Sequence, residues 1–107
     1  MMRVIYRFSV RADCADEFAQ IWSEATSHIQ RLSEGARGSV LLRRHESPHQ
    51  FVAVARWESR ALWAAFYDSD RRVVPETLRQ RMKELLSADT VYEVLDELID
   101  FPATFGD

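Results

Sequence analysis

Between Phe51 and Trp63 a strand-like run passes into a helix-like run with almost no linker. Alternation sets Phe51, Ala53, Ala55 and Trp57 on one face of the strand and Val52, Val54 and Arg56 on the other. Two alanines between two large aromatics leave a shallow space on the first face. Ser59 carries a hydroxyl suited to capping the next helix, in which Leu62, Trp63 and Phe66 share one side. None of these residues is a reactive nucleophile, a metal ligand or a phosphate loop, so the junction constrains architecture more than chemistry.

The flanking sequence extends the pattern. Val4, Tyr6, Phe8 and Val10 alternate with Ile5, Arg7, Ser9 and Arg11, which predicts a first strand. Cys14, Phe18, Ile21, Trp22, Ala25, Ile29 and Leu32 recur at helical period, predicting a helix over 13–34 with Asp13 as N-cap and Gly35 as stop. Gly38 to Glu46 and Gln50 to Glu58 read as a hairpin about Ser47-Pro48-His49. The helix opened by Ser59 is expected to fail near Asp68-Ser69-Asp70 and to restart at Pro75-Glu76, proline being tolerated at the first helical position. Leu78, Met82, Leu85 and Leu86 supply the buried stripe of that last helix. Thr90 to Ile99 alternates as a fourth strand, and 100–107 is a tail holding Phe101 and Phe105. The order β-α-β-β-α-β is an α+β, ferredoxin-like arrangement with both helices on one face of a four-stranded antiparallel sheet.

Both faces of the last two strands carry apolar residues, while the chain's own helices cover one. A second layer is therefore needed, and an identical sheet supplies it most simply, giving a two-fold homodimer. The tail, with its two phenylalanines, reads either as a strap across the partner or as a frayed end.

At 107 residues, 47% of them hydrophobic, the chain forms a single domain over 1–107. A net charge of -3 gives no basic field for nucleic acid, and Arg43-Arg44 and Arg71-Arg72 read as local pairs that are solvated or partner-facing. One cysteine, Cys14, allows no intrachain disulfide. Strand-like alternation begins directly after Met1-Met2-Arg3, and no run approaches the ~20 apolar residues of a membrane span. The expected setting is cytoplasmic, away from any membrane.

His28 falls between Ala25 and Ile29 on the first helix, which would set an imidazole against the sheet as a candidate base. Arg79 and Arg81 flank the Leu78-Met82-Leu85 stripe on opposite borders, so spacing leaves open which of them reaches a pocket. Tyr6 and Tyr67 are available phenolic donors. His45 and His49 bracket the hairpin turn with Glu46 as their acidic neighbour, and no metal site is expected.

The strand pattern Val4 to Val10, Phe18 and Trp22, the Arg56-Trp57-Glu58-Ser59 junction and Val91-Tyr92-Glu93-Val94-Leu95 together resemble the antibiotic biosynthesis monooxygenase domain, a family of dimeric α+β barrels. The resemblance covers nearly the whole chain, and its most specific piece is the Trp-Glu-Ser junction with an aromatic six residues after the tryptophan. It implies a cofactor-free oxygenase of phenolic, quinol or anthrone-like aromatics with a pocket at Trp57, Trp63, Arg79 and Ala53; with His28 added from its place on the helix, the candidate catalytic residues are Trp57, Arg79 and His28, and Tyr6, Ala53, Trp63 and Phe66 are the candidates for holding a small aromatic molecule. Trp57 matches the tryptophan of the anthrone-oxidising branch, Trp63 stands where that branch has tyrosine, and Arg79 matches its arginine. Its strand-three asparagine falls at Ala53, in a chain that has no asparagine at all. That departure favours the alternative of a non-catalytic ligand-binding or stress-associated dimer. The haem-degrading branch requires an asparagine, a tryptophan and a histidine where this chain has Tyr6 (or a close neighbour), Phe66 and Glu76, which disfavours haem binding.

Overall fold

Alternating side chains build β1 (Met2–Ser9), β2 (Ala36–Arg43), β3 (Gln50–Trp57) and β4 (Val91–Asp96), and helical stripes build α1 (Ala15–Leu32), α2 (Arg60–Val73) and α3 (Glu76–Leu85). The structure is a computed structural model describing residues 1–104, apart from the side chains of Asp70, Arg71 and Arg72. The expected solvation of Arg71-Arg72 and the expected strap at Phe105 lie outside the described residues. The sheet is antiparallel throughout, in the order β2-β3-β1-β4, so the ferredoxin-like expectation holds.

Register fixes which side chains share a face. In the central pair Val4 opposes Ala55, Tyr6 opposes Ala53 and Phe8 opposes Phe51. These residues lie under the helices in two buried clusters, one with Phe8, Val10, Phe18, Phe51, Ala53 and Leu85, the other with Met2, Val4, Ala36, Trp57 and Trp63. On the opposite face Val40, Leu42, Val91 and Leu95 are exposed. Salt bridges rim that face, Arg3 to Glu97 at 2.9 Å and Arg7 to Glu93 at 3.1 Å.

Several element ends differ from expectation. Asp13 does not cap α1: a tight turn closes from the Cys14 N–H to the Arg11 carbonyl, the helix begins at Ala15 and the cap makes no side-chain bond. The Asp13 carboxylate instead accepts from the Cys14 thiol at 3.5 Å. At the other end α1 stops at Leu32, before Gly35. Gly35 turns the chain with φ +90°, and a β-carbon there would lie 2.7 Å from Leu62 Cβ, so it is the close approach between this turn and α2 that requires glycine. Ser59 does cap α2, its hydroxyl accepting the Leu62 N–H at 3.2 Å. That helix continues through Asp68-Ser69-Asp70, with the Ser69 hydroxyl turned back to donate to the Ala65 carbonyl at 2.8 Å. Pro75 ends the irregular step, occupying the cap position one residue before α3. β2 begins and ends earlier than expected, since the Arg44 N–H to Gln50 carbonyl bond closes the hairpin there. β4 ends at Asp96, the Glu97 N–H donates to the Met1 carbonyl at 2.9 Å, and Leu98, Ile99 and Phe101 run on exposed.

Gly35→Ala, combining a left-handed backbone with a clash against Leu62, is expected to cost about 2–4 kcal/mol in urea denaturation. Leu62→Ala in the same chain should recover only the part of the clash made by Leu62 Cγ and Cδ1, since alanine keeps the Cβ at 2.7 Å, and none of the backbone share. Two surface carboxyls add a pH dependence. Glu17 is held below the ordinary carboxylate range by its hydrogen bonds from Arg81, and Glu97 by its bond from Arg3, each against a smaller opposing effect of desolvation. A carboxyl lowered in the folded state contributes stability above its unfolded value and loses it as pH falls through the folded one. Tm should therefore decline below about pH 4.5, and Glu17→Gln should flatten that decline.

Candidate functional site

Between the two core clusters, where β3 offers Ala53 and Ala55 and α1 offers Ala25, small side chains leave a cavity of about 260 Å³. This is the space anticipated between Phe51 and Trp57, although Phe8 rather than Phe51 closes its far end. It sits just under the ~300–1,000 Å³ usual for sites that bury drug-sized ligands, which suits a compact planar molecule. The walls are aromatic and aliphatic: Trp57 stacks on Phe66 with centroids 5.0 Å apart and planes at 28°, and Tyr6, Trp22, Ile29 and Met82 complete much of the lining.

Of the residues singled out from sequence, Trp57, Phe66, Tyr6, Ala53 and Arg79 meet at this cavity. Trp63 does not line it. Its indole packs in the core and donates Nε1–H to the Tyr6 hydroxyl at 3.3 Å, so it stands behind the lining rather than in it. His28 is not against the sheet. One turn from the end of α1 its Nδ1 meets the Arg31 guanidinium at 3.1 Å on the exposed side, because the buried stripe at this level passes through Ala25 and Ile29. Tyr67 also reaches the lining, and forms with Trp63 and Tyr92 a set of tilted rings spaced 5.3–6.0 Å apart.

The two arginines of α3 separate cleanly. Arg81 makes a paired contact with Glu17 of α1, at 2.6 and 2.7 Å, which joins the two helices away from the cavity. Arg79 lines the cavity, and its Nε is buried with no hydrogen-bond partner among the described residues. Its nearest carboxylate, Glu76, stands 4.0 Å from a terminal nitrogen and is itself 80% exposed. A buried guanidinium nitrogen without an acceptor is costly, and an oxygen atom of a ligand would offset that cost.

Sequence reasoning missed the polar groups on the α1 and β2 side: Thr26, Gln30 and Ser39. Thr26 and Gln30 follow Trp22 at intervals of four, so the helical period that identified the core stripe also carried them. Ser39 spends its hydroxyl on the Val54 carbonyl at 3.3 Å. Among the described residues no histidine or carboxylate lines the cavity. Cys14 lies outside it, and desolvation followed by the bond to Asp13 raises its thiol pKa, so it remains protonated near neutral pH. Among the described residues no group of three or more His, Cys, Asp and Glu side chains could hold a metal ion, and no helix is long and apolar enough to cross a membrane.

The family model for antibiotic biosynthesis monooxygenase matches residues 1–72. The chain belongs to this family. No curated protein sequence matches it. Among solved structures it is similar to SnoaB of Streptomyces nogalater, a cofactor-independent oxygenase, with TM-score 0.79 at 15% identity over 95% of this chain and 97% of that one. An asparagine-to-alanine variant of SnoaB superposes equally well, with TM-score 0.79 at 16% identity over 95% and 97%. A family protein from Nitrosomonas europaea gives 0.74 at 18% identity, covering 92% of this chain and 100% of that one. At such identities these likenesses establish the fold.

Ala55→Phe would fill the cavity from the middle of β3. Calorimetric titration with 1-naphthol should then show at least a tenfold loss of affinity, with Tm within a few degrees of the unaltered chain.

Proposed function

We propose that the chain is a cofactor-independent monooxygenase whose substrate is a compact phenol, quinol or anthrone held against Trp57. The Nε of Arg79, without a hydrogen-bond partner among the described residues in a largely apolar, aromatic cavity, is the observation that carries this reading. Membership in the family and the resemblance to SnoaB in fold support it.

The chemistry asks little of the protein. An electron-rich aromatic loses a proton to give a delocalised anion, and the anion passes one electron to O₂. The resulting radical pair joins through a new C–O bond as a peroxide. Its O–O bond then breaks with loss of the carbon's remaining hydrogen as a proton, so that a CH₂ and O₂ become a C=O and H₂O. Stacking on Trp57 and Phe66 orients the ring, exclusion of water favours charge transfer, and the Arg79 guanidinium stabilises the anion. With no histidine or carboxylate among the described residues of the lining, the proton leaves to water or hydroxide. The rate should then rise with pH up to the ionisation of the substrate, without a plateau set by a protein base.

The uncovered face of the sheet belongs to the same proposal. A second copy laid face to face would bury Val40, Leu42 and Leu95 and bring the Arg3, Arg7, Glu93 and Glu97 rims together. It would also cover Arg56, whose Nε is buried without a hydrogen-bond partner among the described residues while a terminal nitrogen stands 3.6 Å from Glu97. The exposed Leu98, Ile99 and Phe101 would lie along the partner.

O₂ uptake with a panel of anthrones and quinols should saturate, and Arg79→Ala should lower kcat at least a hundredfold while Trp57→Phe mainly raises KM. Absence of turnover across the panel, with binding retained, would replace this reading with the non-catalytic one that Ala53 favours. Light scattering at micromolar concentration should give twice the chain mass, and Leu42→Glu should halve it; a stable monomer would remove the dimer.

A further inference from the structure

Gly38 sits at an irregularity in β2, where the pairing with β3 shifts between Ala36 and Ser39. Its φ is +103°, and the space where a β-carbon would stand is open. The shift frees the Gly38 N–H from the strand ladder and lets it donate to Gln30 Oε1 on α1 at 3.0 Å. Because a backbone N–H can only donate, the atom that receives it must be the amide oxygen, and the orientation of the amide is thereby set. The amide nitrogen keeps two hydrogens with no partner among the described residues. Gln30 lines the cavity.

We infer that Gln30 supplies the carbonyl-binding donor that β3 lacks at Ala53, so that a ligand carrying a ring carbonyl or phenolate oxygen is held by the Gln30 amide from α1. This rests on the cavity being the ligand site proposed above. Three features favour the assignment. The neighbouring Ser39 hydroxyl is already engaged with Val54. The Trp63 indole N–H is already engaged with Tyr6. The Gly38 bond fixes the Gln30 amide before a ligand arrives, so little side-chain freedom remains to be lost on binding. Ser39, next to Gly38, is paired with Ala55. The donor therefore enters about one side-chain row, roughly 7 Å, along β3 from Ala53, and the ligand oxygen should be displaced by the same step.

The test separates the anchoring bond from the ligand bond. Gln30→Glu retains an oxygen for the Gly38 N–H and removes the amide donor, whereas Gln30→Met removes both; Thr26→Val, one turn back, is the control. Calorimetric affinities are measured at pH 8 for 1-tetralone and for tetralin, the matched hydrocarbon. The ketone-to-hydrocarbon affinity ratio should drop at least tenfold in Gln30→Glu and Gln30→Met and hold in Thr26→Val, with tetralin affinity and the Tm of Gln30→Glu little changed. If both probes bind and the ratio is unchanged in the two Gln30 variants, or falls only in Thr26→Val, the role of Gln30 is overturned while the cavity stands. If neither probe binds the unaltered chain, the ligand site falls and Gln30 with it.

Discussion

Register in the central strand pair decides where this molecule is solid and where it is hollow. With Val4 opposite Ala55 and Tyr6 opposite Ala53, large side chains at both ends of the pair bracket two small ones, and the helices above can fill the ends but not the middle. Close packing elsewhere makes the gap meaningful, since protein interiors rarely leave space beyond a water molecule without a reason. A one-residue slip would send Trp57 and Phe51 to the opposite face and abolish both core and cavity. The Trp57–Phe66 stack ties α2 to the end of β3, and the Gly35–Leu62 approach sets how closely the preceding turn can lie.

The polar groups are few, and each is positioned by something other than the cavity itself. Arg81 joins α1 to α3 through Glu17, which leaves Arg79, two residues away and on the other border of the helical stripe, to the cavity wall. The irregularity at Gly38 does the corresponding work on the opposite strand edge, converting a ladder N–H into a clamp for Gln30. In the proposed reading, a largely apolar cavity with two oriented donors favours oxygen atoms of planar ligands, and the absence of a histidine or carboxylate among the described lining residues leaves ionisation to the ligand's own acidity and to Arg79.

Much of this was legible in the chain because periodicity encodes faces. The alternation from Phe51 to Trp57 gave the small residues between aromatics, and the stripe from Phe18 to Ile29 gave the helix that roofs them. What escaped depended on geometry that periodicity does not contain. His28 is adjacent in the helical wheel to buried positions, yet its ring meets Arg31 instead of the sheet. Asp13 looked like a cap but was displaced by a turn closed two residues earlier at Arg11. Spacing left Arg79 and Arg81 equivalent until Glu17, far away in sequence, took one of them. Gln30 was invisible as a site residue because its role follows from a strand irregularity that a glycine permits but does not announce.

The central claim is that Arg79 outweighs the apolar walls in deciding the charge of a bound aromatic oxygen. Desolvation alone would disfavour a phenolate, while a guanidinium lacking another partner would favour it. Ultraviolet titration of 2-naphthol bound to the protein measures the balance directly. The account predicts that the pKa of the bound naphthol falls by at least one unit and returns to or above the free value in Arg79→Ala. A bound pKa higher than that of free naphthol in the unaltered protein would contradict it.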